Sequence, residues 1–181
     1  MKKAILYPKL LLILILSNAC EDKPVRPAVK VAPEMTQKDK KVVTEKLPSE
    51  PVLAQYIRIK NAMVSDDSLQ TKEHLKVFPA IITAAAQGLE TNTATTLVSQ
   101  LKAQVADMQN SPFAMQRFQL IGLTESLLAW QQIAPAKEKI YVQYCPMYKG
   151  GNSWLSMEDK VLNPYYGSKM LRCGVIEKTL N

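Results

Sequence analysis

Histidine is almost absent from this chain, with one residue, His74, among 181. Nucleophilic hydrolysis needs a base within hydrogen-bond reach of serine or cysteine, and His74, flanked by Glu73 and Lys72 on a helical pattern, reads as a solvated helix residue instead. Glycine is scarce too, at six residues, and there is no Gly-rich phosphate loop, no His-Glu-x-x-His pair and no calcium-loop spacing. The carboxylate pairs Asp66-Asp67 and Glu158-Asp159 read as helix capping and as a polar turn, not as general acids. No enzyme is expected. Strong charge is missing as well. The formal +7 includes Lys2, Lys3 and Lys9 of a removable N-terminus, which leaves +4 on the rest. Without interleaved arginine and aromatic residues, that charge does not argue for nucleic acid, and no nucleic-acid partner is expected.

Long apolar runs are absent except at the start, "MKKAILYPKLLLILILSNAC", where Leu10–Leu16 follows a lysine-rich tip. The run is too short for a mature membrane span and reads as a signal segment, 1–19. Its end, Ser17-Asn18-Ala19-Cys20, resembles a bacterial lipoprotein processing site, with Cys20 as the acylated first residue and the membrane reached through that lipid. The expected location is the cell envelope, lipid-anchored, facing the periplasm or on the outer membrane. Residues 20–49 hold Pro24, Pro27, Pro33 and Pro48 among balanced charges with no aromatic residue, the composition of a flexible stalk.

The remainder, 50–181, is one domain by length. Four segments carry apolar residues at helical spacing: about 51–64, 68–89 with Pro79 as a kink or break, 93 or 95–108, and 112–133 with Ser111 as N-cap. Short connections predict antiparallel neighbours. Beyond Pro135 the texture changes to β-branched and aromatic residues: "IYVQYCP", "SWLS" and "GVIEKTL" predict three short strands, and "NPYYGSKML" one or two helical turns. The fold expected is mainly α, a four-helix bundle with a small C-terminal cap containing short antiparallel strands.

Cysteine is the other rarity. Apart from Cys20 there are Cys145 and Cys173, and between or beside them stand Met147, Met157 and Met170. Thiolates and thioethers are soft donors that suit Cu(I), so Cys145, Met147, Met170 and Cys173 form a candidate metal site. The other reading of the same residues is a Cys145–Cys173 disulfide, which in an oxidising compartment would staple the cap and add about 3.5 kcal/mol. That reading makes the chain a metal-free interaction module docking on an envelope or transporter partner. Tyr141, Tyr144, Tyr148, Trp154, Tyr165 and Tyr166 are expected to form the apolar floor of the cap.

The pattern "YVQYCPM … WLS … NPYYG … ML.CG" resembles the domain of unknown function 3347, found in exported proteins of Bacteroidota and at the C-terminus of adaptor subunits of heavy-metal efflux systems. The resemblance covers about residues 51–180, and its motif falls on Cys145, Pro146, Met147, Trp154, Asn163, Pro164, Tyr165, Gly167, Met170, Cys173 and Gly174. It implies a helical domain closed by the Cys-Pro-Met and Met-Leu-x-Cys-Gly segments, copper or another heavy metal as cargo, and efflux components as partners. Relatives often carry a histidine near the position of Gln119, and their loop corresponding to 148–153 is often longer.

Overall fold

The computed structural model describes Leu47 and residues 50–181; the signal segment, Cys20 and all of the stalk except Leu47 lie outside the described residues. The elements in chain order are α1 (Pro51–Val64), α2 (Ser68–Ala85), α3 (Asn92–Gln109), α4 (Phe113–Ile133), β1 (Ile140–Cys145), β2 (Asn152–Ser156) and β3 (Val175–Leu180), with a 3-10 turn at Gly167–Met170. The domain is thus mainly α with a small strand-containing C-terminal cap. Among the described residues no helix is long and apolar enough to cross a membrane.

Helix α1 begins at Pro51, with Glu50 as N-cap accepting from the Val52 amide at 3.0 Å. Its spacing suggests a single apolar face, yet the helix is buried all round, with Val52, Leu53, Tyr56, Ile57, Ile59 and Met63 at 0 % exposure. The reason is in the sequence: Val52, Ala54, Ile59 and Ala62 fill the sides that a surface helix would give to charge.

Helix α2 runs as one helix through Pro79, so of the expected kink or break the division into two helices is absent. Proline lacks the amide that would bond the carbonyl four residues back, and that carbonyl, Leu75 O, instead accepts from Gln109 Nε2 of α3 at 2.8 Å. A tertiary partner thus satisfies the group that proline orphans. The helix ends at Ala85, before the expected limit near residue 89.

Helix α3 buries the expected stripe of Leu97, Leu101, Val105 and Met108. At α4 the cap differs from expectation. Pro112 is the N-cap, and the Ser111 hydroxyl donates to Asp107 O at 2.8 Å, closing the end of α3 rather than opening α4.

Successive helices pack on one another, and α4 also packs on β2. The Tyr56 hydroxyl joins α1 to both. Thr124 Oγ1 donates to Leu120 O, so Tyr56 donates to Thr124 across 2.8 Å and accepts from the Leu155 amide at 3.2 Å. The sheet has the order β2-β1-β3, all antiparallel. Opposed pairs Val142–Leu155 and Gln143–Trp154 point to opposite faces, and all four residues are buried, so β1 and β2 are covered on both sides. Strand β3 is mostly exposed.

Candidate dithiol site

Cys145 is the last residue of β1, and Cys173 stands two residues before β3 begins. Because Tyr144 pairs with Val175, the register brings the residues that follow β1 beside those that precede β3. The two sulfurs lie 2.8 Å apart although 28 positions separate them in the chain. Cys145 is fully buried, whereas Cys173 is half-buried.

The approach is built by the surrounding motif. Gly174 has φ +149, and a Cβ there would stand 2.8 Å from both the Trp154 ring and Tyr144 O, so only glycine lets the chain turn past Trp154 with Cys173 against β1. Asn163, wholly buried, uses its whole side chain to hold the same segment. Its Nδ2 donates to Cys173 O at 2.7 Å, and its Oδ1 accepts from the Tyr165 and Tyr166 amides. The backbone adds Asn163 N to Leu171 O at 2.7 Å and Cys173 N to Met170 O at 3.0 Å.

The Asn163–Gly167 segment is in turn fastened to the helices. Arg117 of α4 is buried and donates to Met63 O at 2.7 Å, to Pro164 O and to the Asp66 carboxylate, while its guanidinium lies over the Phe113 ring. Burial lowers the Arg117 pKa and Asp66 pushes it back up. The second Asp66 oxygen accepts from the Ser168 amide at 2.9 Å. Asp66 reaches this position with φ 56, and Gly167 makes room, since a Cβ there would press on Asp66 and come within 2.7 Å of Arg117 Nη2.

Aromatic rings line the space between. Tyr148 stacks on Tyr165 at 4.5 Å and meets Tyr166 edge-on at 5.3 Å, and Trp154 meets Tyr165 edge-on at 5.8 Å. Burial raises the phenol pKa values of Tyr165 and Tyr148, so both remain neutral donors. Tyr165 donates to Ser153 O, and Tyr166 donates to Met147 O at 3.0 Å, which fixes the backbone beside Cys145. Tyr141 lies outside this cluster, under Lys139.

Of the four candidate metal donors, the structure brings Cys145 and Cys173 together. The Met147 side chain is 62 % exposed, Met170 is partly exposed in the 3-10 turn, and Met157 packs against the core. Among the described residues no group of three or more His, Cys, Asp or Glu converges on one point, so the two sulfurs and the flanking thioethers are the donor set to be judged. Burial, followed by the contact with Cys145, pushes the Cys173 thiol up to about 11, against which the Met147 backbone amide draws it down. Gln119 lies on the α3 side of α4 and lines a groove of about 280 Å³ with Gln104, Phe118 and Ile121.

The residues that sequence reasoning missed are Arg117 and Asp66. Asp67 behaves as a cap, accepting from Gln70 N at 2.9 Å, but its neighbour Asp66 serves the cap domain through Arg117. A lone arginine among the apolar positions of α4 was the available signal. Comparison with protein-family models, curated proteins and solved structures finds no match for this chain.

Proposed function

We propose that this chain is an envelope-tethered domain that holds a soft metal ion, Cu(I), on the Cys145–Cys173 pair, in copper or heavy-metal handling beside an efflux system. The observation that supports the reading is the convergence of the two sulfurs to 2.8 Å where the end of β1 meets the segment before β3, with Met147 two residues after Cys145 and Met170 three before Cys173 in the chain. Two thiolates with thioethers nearby form a donor set that suits Cu(I) better than zinc, which takes four nitrogen or thiolate ligands. We read the four helices as one antiparallel bundle that carries this site. The lipid on Cys20 and the stalk supply the tether, and the motif's likeness to the domain of unknown function 3347 supports the efflux setting.

Two sulfurs sharing one ion, each at about 2.3 Å from it, stand about 4 Å apart. Loading therefore requires Cys173 to draw back by about 1 Å, and Cys173 is the half-exposed member of the pair, on a loop rather than within a strand. Its raised pKa makes uptake release a proton, so affinity rises with pH. The test is competition between the reduced chain and a chromogenic Cu(I) chelator. One-to-one binding, weakened by Cys173→Ser and by lower pH, supports the reading; equal binding by a Cys145→Ser, Cys173→Ser protein overturns it.

A further inference from the structure

We infer that Cys145 and Cys173 are also the two halves of an intramolecular disulfide, whose formation closes the soft-metal site. The gating rests on the metal reading above, whereas the bond itself does not. At 2.8 Å the sulfurs are already closer than two thiolates on one ion stand, so a short movement joins them while loading needs them parted. Their positions are held from several directions: Cys145 by its place in β1, opposite Asn152, and Cys173 by Asn163 Nδ2 on its carbonyl and Met170 O on its amide. No other cysteine occurs among the described residues.

The difference in exposure sets the order of events. The Cys173 thiolate, the one solvent reaches, attacks a sulfur of an external disulfide, whether a small molecule or an exported oxidoreductase. The oxidant's sulfur–sulfur bond breaks, one thiolate leaves, and a mixed disulfide forms on Cys173. Buried Cys145 then loses its proton to solvent and displaces the second thiolate from Cys173. Both protein thiols give up their protons and together two electrons, and the oxidant is reduced to two thiols. Oxidised, the pair offers no thiolate to Cu(I), so the compartment's oxidants and copper compete for the same two atoms.

The experiment uses the full chain in detergent, carrying Cys20→Ser so that only the pair reports. Reduced protein is treated with oxidised glutathione, quenched with a maleimide and weighed intact, and Cu(I) competition is run on the reduced and oxidised forms. The expected result is loss of both reactive thiols without a covalent dimer, a glutathione adduct trapped on Cys173 in Cys145→Ser, and Cu(I) binding by the reduced form alone. Two thiols that stay reactive, an adduct that never resolves in the unsubstituted pair, or a cross-linked dimer overturns the disulfide. Closure together with equal Cu(I) binding by both forms overturns the gating. Closure with no binding by the reduced form leaves the disulfide standing and removes the metal reading.

Discussion

The helical body and the C-terminal cap of this protein share one apolar core but differ in what else holds them. In the body, cohesion comes from apolar side chains on facing helices, Leu53, Ile57, Phe78, Leu101 and Leu127 among them, all at zero exposure. In the cap, Val142, Trp154, Leu155 and Tyr165 join the same apolar core, and backbone carbonyls and amides are in addition taken up by single polar side chains, Asn163 of the cap and Arg117 and Asp66 of the helical part, around glycines that admit close contacts. A side chain in the body is one of many similar contacts. At the cap one polar side chain serves several backbone groups at once, so a single substitution there removes several hydrogen bonds together.

That contrast is sharpest where the two regions meet. Replacing Arg117 with Ala removes a charged donor from Met63 O, Pro164 O and the Asp66 carboxylate at once, and is expected to cost about 3–5 kcal/mol in urea unfolding, as charge-assisted hydrogen bonds are lost and the buried Pro164 O is left short of its donor. Lysine should not rescue it, because one ammonium does not span three acceptors; full rescue by Lys would break the comparison. In the body, Leu101→Ala is expected to cost about 2–5 kcal/mol, while Leu101→Met, which keeps the volume, should cost less than about 1.5 kcal/mol.

Gly174→Ala is a change of one methyl group with an expected loss of about 1–3 kcal/mol by thermal unfolding, because the added carbon meets Trp154 and Tyr144 O at a φ that alanine avoids. A methyl added to a helix of the body, at Gly122 of α4, meets only the amide end of the Gln104 side chain, at 3.3 Å. The smallest expected effect is a pH slope. The folded-state Cys173 pKa of about 11 lies above its ordinary 9, so reduced folded protein binds more protons than unfolded protein between those values. The stabilisation is therefore full below pH 9 and is lost as pH rises toward 11. Subtracting the unfolding curve of Cys173→Ser should isolate that slope, and the disulfide form should lack it.

Much of the fold was legible because its signals are local. Pro51, the Asp67 cap, the Leu97–Leu101–Val105–Met108 stripe and the three β-branched segments each announce their element within a few residues. What stayed hidden depends on distant partners. Nothing near Pro79 reveals that Gln109 will take the carbonyl it frees, nothing near Ser111 says that its hydroxyl turns back to Asp107, and nothing near Asp66 points to Arg117, 51 positions away. For the candidate site, the spacing of Cys145 and Cys173 leaves their meeting open. It is the Tyr144–Val175 register, with the Asn163 clamp and Gly174, that joins them.

The Tyr56 hydroxyl bonds groups 68 and 99 positions further along the chain. A polypeptide that crosses a membrane or leaves a ribosome amino end first delivers α1 before any of these partners exists. The helix that ends with apolar residues enclosed on every side is thus the first described helix to be made, and it cannot be sealed until β2 has arrived. During that interval its apolar side chains are open to any sticky neighbour, a period set by contact distance along the chain. The same hydroxyl that locks the finished domain therefore fixes the length of its exposure during biogenesis, and a holding factor would act in that window.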